Sequence, residues 1–360
     1  MTGHDVLMSI SKYIREIGRG KDGARALNAE QAQDLMTQVL EGRVTDLEVG
    51  AFALAMRIKG ETPAELAGFL AATLPHCLAP ASHRPAVWLP SYNGARKLPN
   101  LTPLLALLLA REGVPVLVHG PLTEPGRVAS AEIFRALRLP VASNGANNAA
   151  DSAADNASDI AADIAVNNAA DNTADIERAW QRAEPAFMST DMLCPPLARL
   201  LAVRRVVGLR NSGHTVAKVL HPAGNAGAVF RVVNHTHPEY AELLTHFLAE
   251  TRADAMLLRG TEGEPVADAR RTPRMDVFCA GEHSEDLSVP AREGVLTQLP
   301  DMPRTCDVAS TAAYIGAVLK GQLPTPEPIA LQVASIVRAL NQIRTSTRAA
   351  DKALPHESMA

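Results

Sequence analysis

A small all-helical unit joined to a larger α/β unit with a mostly parallel sheet is the fold class this sequence predicts. Three observations carry it. Residues 28–75 hold successive helix start signals, each followed by apolar residues at helical spacing. From Pro85 onward, short apolar strands alternate with helical stretches, as in a parallel sheet covered by crossover helices. The chain has 360 residues and is 47% hydrophobic, enough to bury the core such a sheet needs.

Taken in order, Asn28 reads as an N-cap with Gln31 as its capping-box partner, and Ala32, Leu35, Met36, Val39 and Leu40 follow at helical spacing. Thr45, with Glu48 three residues on, opens a second helix reaching about Ile58. The run Lys59-Gly60-Glu61-Thr62-Pro63 punctuates the chain, and Pro63 suits the first turn of a third helix. Val87-Trp88-Leu89 reads as a buried strand, and Leu101–Arg111 as a helix. Val114–Val118 reads as a second strand and Ala129–Leu137 as its helix. After Cys194-Pro195-Pro196 comes a helical, basic stretch over 197–219. Val229–Val233 and Ala255–Leu258 read as strands flanking a helix at Pro238–Ala249, and Pro328–Arg344 as a closing helix. The last dozen residues are expected to be loose. The predicted domains are residues 1–82, completed by helices from about 195–220, and residues 83–350.

Between them, residues 143–176 are almost entirely Ala, Asn, Asp and Ser. Asp151, Asp155, Asp159 and Asp163 would stack like charges along one helix face. The stretch reads as a disordered or weakly helical insertion; the other reading is an acidic arm that competes with a polyanion for a basic surface. Residues 150–177 carry seven acidic side chains and no Lys or Arg, so removing them turns the formal charge of −4 into +3. Net charge therefore does not argue for nucleic-acid binding, and local patches decide. No apolar run is long enough to span a bilayer, and the first ten residues do not resemble a signal peptide, so no membrane association and a cytoplasmic location are expected. Cys77, Cys194, Cys279 and Cys306 lie far apart without a CxxC pair, which favours reduced core thiols over a disulfide framework or zinc site.

Several segments together resemble the anthranilate phosphoribosyltransferase family. Leu27-Asn28-Ala29-Glu30, Val44-Thr45-Asp46 and Leu54-Ala55-Met56-Arg57-Ile58-Lys59-Gly60-Glu61-Thr62 are similar to its N-terminal helical domain. Val203-Arg204-Arg205-Val206-Val207-Gly208-Leu209-Arg210 resembles its Arg-Arg-x-x-Gly-x-Arg helix. His237-Pro238-Glu239-Tyr240 and Leu257-Leu258-Arg259-Gly260 resemble its Pro-Glu-Leu helix and following His-Gly strand. The resemblance covers about residues 10–350 outside the acidic stretch. It implies the fold above and a homodimer formed through the helical domains.

Its chemistry needs a pyrophosphate cradle, a divalent metal and carboxylates to hold that metal. The family's cradle is Gly-Thr-Gly-Gly-Asp-Gly, where glycines let backbone N–H groups approach phosphate oxygens. Here Pro90-Ser91-Tyr92-Asn93-Gly94-Ala95 keeps one glycine and loses the aspartate. Asn100-Leu101-Thr102 resembles the family's Asn-Ile-Ser at a helix start, where Asn100 either receives an anion or simply caps the helix. Lys-His-Gly-Asn-Arg becomes Val118-His119-Gly120-Pro121-Leu122, which loses both cations. The metal-holding Asp-Glu pair falls on Glu264-Pro265, with Glu262 as a displaced substitute. His235-Thr236-His237 reads as a strand-to-helix turn rather than a metal site.

What the chain gains is basic. Ser91-Tyr92-Asn93-Gly94-Ala95-Arg96-Lys97, combined with Arg210-Asn211-Ser212-Gly213-His214-Thr215-Val216-Ala217-Lys218, resembles the DNA-binding, TrpD-like branch of the family. That resemblance implies nucleic-acid binding through Arg96, Lys97, Arg210 and Lys218, and the charge pattern agrees: with Arg19, Lys21, Arg25, Arg204 and Arg205 these could make phosphate contacts along a groove that a dimer doubles. Each of these alone reads equally as a solvated charge, as do Lys12 and Arg15. Aromatics are only 4%, so base readout is not expected. A residual anion pocket is expected from Ser91, Asn93, Asn100, Thr102, His119, Asn211 and His214. No catalytic residue, cofactor or metal is assigned. The alternative is a transferase using phosphoribosyl pyrophosphate and magnesium with an altered cradle and acceptor.

Overall fold

The computed structural model describes residues 9–82, 84–144, 173–221, 228–296, 299 and 301–353. The helical unit comprises α1 (Ser11–Ile17), a short α2 (Gly20–Gly23), α3 (Ala29–Leu40), α4 (Asp46–Lys59) and α5 (Pro63–Thr73). Its starts are where the capping residues placed them. The side chains of Asn28, Thr45 and Thr62 accept from the amides of Gln31, Glu48 and Glu65, and those three side chains return the bond to the cap. Glu65 also accepts from the Leu27 amide (2.9 Å) and the Lys59 ammonium (2.6 Å), with both charged side chains nearly or fully buried. This pair ties the end of α4 to the start of α5. Gly68 lets α5 lie against α3, since a Cβ there would stand 2.2 Å from the Ala29 carbonyl oxygen.

The α/β unit is built on one sheet. Its strands are β1 (Ala86–Pro90), β2 (Val116–Gly120), β3 (Val141–Ala142), β4 (Ala186–Ser189), β5 (Val229–His235), β6 (Ala255–Arg259), β7 (Met275–Cys279) and β8 (Glu282–Val289). The order is β3-β4-β2-β1-β5-β6-β7-β8, parallel as far as β6 and antiparallel for the last two. Strands β1 and β2 pair Pro90 with His119, and on its other side β1 pairs with β5. The chain leaves β1 toward β2 and later resumes at β5 on the opposite flank. A crevice therefore opens beyond the carboxyl end of β1, where ligands of open α/β sheets bind.

Both faces of the sheet are covered. Val87, Leu89, Val116, Val118, Phe230 and Val232 pack with α6 (Thr102–Arg111), α7 (Ser130–Ala136), α13 (Val308–Leu319) and α14 (Glu327–Ala353). Trp88, Leu117, Met188 and Val233 face the other way, into a core shared with α3, α4, α5 and a helix over 173–181, here α8. The Trp180 indole in α8 donates to the Val116 carbonyl at 2.9 Å. The remaining helices are α9 (Thr190–Leu193), α10 (Pro195–Val207), α11 (Gly213–Ala217) and α12 (Pro238–Glu250). Helix α10 contacts α3, and α11 and α12 contact α5, so the segment after Cys194 adds to the helical unit.

Several expectations need correction. The second strand begins and ends two residues later than its apolar run, because Val114 and Pro115 only lead into the ladder. The stretch called an insertion ends earlier than 176: residues 173–176 already belong to α8, where Ile176 is fully buried. Residues 145–172, the bulk of that stretch, lie outside the described residues. The helix α14 runs on to Ala353, past where looseness was expected, and residues 354–360 lie outside the described ones. The hairpin β7–β8 and α13 were missed. The β8 run Glu282–Val289 carries three acidic residues among eight and is largely exposed at the sheet edge, so it lacks the apolar pattern of the buried strands.

Candidate site at the carboxyl ends of the strands

The loop after β1, residues 91–98, is clamped on both sides. The Ser91 amide donates to the His119 carbonyl (2.8 Å), and Ala95 and Val128 exchange backbone bonds at 3.0 and 2.8 Å. Gly120 closes β2 against this loop, where a Cβ would fall 1.9 Å from the Ser91 carbonyl oxygen. Gly94 turns at φ +63°.

The loop's amides converge on acids from another part of the chain. One carboxylate oxygen of Glu264 accepts from the amides of Asn93 (2.9 Å) and Gly94 (2.8 Å). Its other oxygen accepts from the hydroxyls of Ser91 and Thr102, the latter at 3.2 Å. Glu262 accepts from the amides of Lys97 and Leu98 (2.8 Å each) and of Arg96 (3.1 Å), with the Arg127 guanidinium 3.9 Å away. Five backbone N–H groups thus form an anion nest, and the chain fills it with two carboxylates of its own. The geometry is held at a cost: Glu262 sits at φ +52°, a left-handed conformation that is strained for a non-glycine. Gly263 (φ +86°) leaves room for the Asn93 amide group, which donates to the Glu262 carbonyl at 2.8 Å. Glu264 is 1% exposed. Burial pushes its pKa up, against the opposing pull of the bonds from Ser91, Asn93, Gly94 and Thr102.

The loop has converging amides although it keeps only one of the cradle glycines of the family it resembles. The amides remain; their acceptors are internal. Ser91 and Thr102, expected to line a residual anion pocket, spend their hydroxyls on Glu264, and Asn93, expected there too, spends its backbone N–H on Glu264 and its side-chain amide on the Glu262 carbonyl. Asn100 is a strut: its side chain accepts from the Thr102 amide (3.2 Å) and donates to Val128 O (3.2 Å) and Ser130 Oγ (3.1 Å). Asn211 likewise holds the α10–α11 turn, donating to Leu200 O (2.7 Å) and accepting from the Gly213 amide (3.0 Å).

The two pocket histidines are neutral. His119 is fully buried and lies 3.0 Å from the Tyr92 hydroxyl through Nδ1; burial lowers its pKa to about 3. Burial, with Arg210, Arg204 and Lys218 nearby, lowers that of His214 to about 3. A magnesium-bound donor does not fit these residues. Both candidate metal carboxylates are committed to N–H donors, and among the described residues no three His, Cys, Asp or Glu side chains converge on a possible ion. His235 ends β5 and His237 caps α12, which is the strand-to-helix turn expected.

The basic residues divide into groups. Arg127, Arg204, Arg210 and Lys218 are close enough to depress one another's or His214's proton affinity. Burial, reinforced by Arg210, brings Lys218 down to about 8, and its ammonium sits 3.4 Å from Asn234 O with no ion pair among the described residues. Arg204 pairs with Glu124 at 2.8 Å. Arg96 and Lys97 are exposed beside Glu262, and Arg205 is exposed on α10; none of the three forms an ion pair among the described residues. Arg127 was missed by sequence reasoning, since Gly126-Arg127 carries no motif. Arg19 and Arg25 stand apart on the helical unit, around Glu16 at 3.0 and 3.6 Å. Lys21 falls in α2, and its side chain lies outside the described ones.

A model of the glycosyl transferase family helical bundle domain matches residues 11–77. The Escherichia coli (strain K12) protein YbiB is 35% identical over 94% of this chain and 96% of its own length. The anthranilate phosphoribosyltransferase of Methanopyrus kandleri is 26% identical over 88% of this chain and 84% of its own. Among solved structures, the anthranilate phosphoribosyltransferase of Thermus thermophilus superposes with a TM-score of 0.54 at 19% identity, covering 96% of this chain and all of that one. The Saccharomyces cerevisiae enzyme in complex with PRPP and Mg superposes with a TM-score of 0.59 at 11% identity, covering 92% of this chain and 88% of its own. With a bundle domain at its N-terminus, a sheet of matching topology and a relative this similar along almost its whole length, the chain belongs to the anthranilate phosphoribosyltransferase-like group of the glycosyl transferase family.

Proposed function

We propose that this protein binds nucleic acid, DNA in the first place, through phosphate contacts and without base readout. On this reading it no longer uses a phosphoribosyl donor. The observation that carries it is the nest at residues 93–98, whose five amides are spent on Glu262 and Glu264. A pyrophosphate entering there would have to displace two carboxylates, one of them deeply buried. The same reasoning counts against the transferase alternative. Around this closed nest stand Arg96, Lys97, Arg210 and Lys218, and Arg205 is exposed on α10; these form no ion pairs among the described residues and suit phosphate oxygens.

A homodimer through the helical unit belongs to the proposal. Leu47 (84% exposed), Leu54 and Ile58 line one face of α4, and Val206 (90% exposed) and Leu209 stand at the end of α10. Large exposed apolar side chains such as these support association. A cytoplasmic location fits, and no described helix is long and apolar enough to cross a membrane.

The test is fluorescence anisotropy with labelled single-stranded DNA, duplex DNA and RNA across a salt series. Neutralising about 6–10 phosphates gives a loss of about 10³–10⁵ in affinity between about 50 and 200 mM salt. Arg96→Ala with Lys97→Ala is expected to reduce the salt slope by about 2. Absence of binding to any of the three at low salt would overturn the proposal.

A further inference from the structure

We infer that Cys77 and Cys194 are a dithiol site that closes to an intramolecular disulfide, stapling the end of the helical unit to the start of α10. The sequence separates these residues widely, and the fold brings them together. Cys77 follows the 3₁₀ turn Leu74–His76 beyond α5, and Cys194 is the residue on which α10 starts. The Leu78 amide donates to the Leu193 carbonyl at 2.8 Å, which sets the two cysteines on flanking positions, one residue from each end of that bond. The two side chains are close enough to shift each other's proton affinity, Cys194 within an apolar cluster that includes Leu197 and Leu200 and Cys77 packed against it.

The two sulfurs have different surroundings. Cys194 is fully buried. The neighbouring Cys77, the Leu197 amide and the Arg199 guanidinium lower its pKa against the opposing effect of burial. Cys77 is partly exposed, lies 3.5 Å from the Thr73 carbonyl, and has its pKa pushed up by the contact with Cys194 and by burial. Thiol–disulfide exchange needs one reachable sulfur and a second beside it to resolve the mixed disulfide, with the thiolate as the attacking form in each step; the partly exposed Cys77 is the reachable one and Cys194 the resolving one. With oxidised glutathione as the oxidant, Cys77 loses its proton and attacks one glutathione sulfur as the thiolate, the glutathione S–S bond breaks, and the other glutathione takes up that proton and leaves as thiol. The Cys194 thiolate then attacks the Cys77 sulfur and expels the second glutathione as thiol. Two S–H bonds are lost, one S–S bond forms, and one disulfide is reduced to two thiols. Cys279 ends β7, and Cys306 lies against the Arg96 carbonyl at 2.8 Å, so neither shares this geometry.

The experiment uses the full chain carrying Cys279→Ser and Cys306→Ser, incubated with oxidised glutathione and digested for peptide mass mapping. A peptide pair linked through Cys77 and Cys194, lighter by two hydrogens and split by dithiothreitol, is expected. A loop on the order of 100 residues is closed, so the melting temperature should rise by about 5–10 °C on oxidation and fall back on reduction. Cys77→Ser, checked for an unchanged reduced melting temperature, should lose both effects. Glutathione retained on Cys77, disulfides only between chains, or two thiols unreacted in the folded protein would each overturn the inference.

Discussion

Replacing Glu264 by alanine is the most direct way to ask whether the nest is filled from within. The substitution removes the acceptor that the structure gives the Asn93 and Gly94 amides, at 2.9 and 2.8 Å. A buried donor left without a partner costs about 1–3 kcal/mol, so the two together cost about 2–6 kcal/mol. The Ser91 hydroxyl keeps Ser130 at 2.7 Å and adds little. Relief from burying the carboxylate offsets part of the loss, leaving about 2–4 kcal/mol, or roughly 5–12 °C in melting temperature. The vacated nest should then take an external anion. At about ten times its Kd, inorganic phosphate would restore about 1.4 kcal/mol. The assay is thermal unfolding of the parent, Glu264→Ala and Glu264→Gln proteins with and without phosphate, at fixed ionic strength. Glu264→Gln keeps a carbonyl acceptor and should recover most of the stability without responding to phosphate. An alanine variant as stable as the parent, or a parent stabilised by phosphate as strongly as the variant, would refute the reasoning.

Three further outcomes are expected. Glu65→Ala leaves the Leu27 amide without its acceptor and the buried Lys59 ammonium without its counter-charge, with the Gly60 carbonyl still accepting from it at 2.7 Å, and should cost about 3–5 kcal/mol in urea unfolding. The double change Lys59→Met with Glu65→Leu should cost less than that single one, and equal costs would show that the pair is not desolvated. Gly68→Ala forces a methyl to within 2.2 Å of the Ala29 carbonyl and should destabilise by about 1–3 kcal/mol or more; a neutral effect would mean that α3 and α5 are not in close contact. His119 and His214 refuse a proton down to about pH 3, whereas the unfolded chain accepts one near 6.5. Stability from these groups is therefore intact above about pH 6.5 and lost as pH falls below it, at up to about 1.4 kcal/mol per pH unit for each histidine. Unfolding free energies at pH 7, 6 and 5 measure this slope, His214→Gln should halve it, and a flat profile would contradict the burial of both rings.

Local rules made much of the architecture legible. Asn28-x-x-Gln31, Thr45-x-x-Glu48 and Thr62-Pro63-x-Glu65 specify helix starts because a cap and its return bond lie within four residues. Val87, Val116 and Val232 mark strands buried on both faces, where apolar runs persist. The β7–β8 hairpin escaped because its edge strand faces solvent and carries no such run.

The basic crevice was half visible. Arg204, Arg210 and Lys218 stand in a recognisable run, while Arg127 joins them only because the residue 126–128 loop bonds to the β1 loop. Sequence by itself determined the helical unit, the α/β unit and the family, since caps, strand runs and motif order are short-range properties. Only the tertiary structure decided what occupies the nest, which histidines are neutral and which thiols meet. Each of those depends on residues about a hundred or more positions apart, or on burial that no local pattern encodes: Glu264 against Gly94, His119 beneath Tyr92, Cys77 against Cys194.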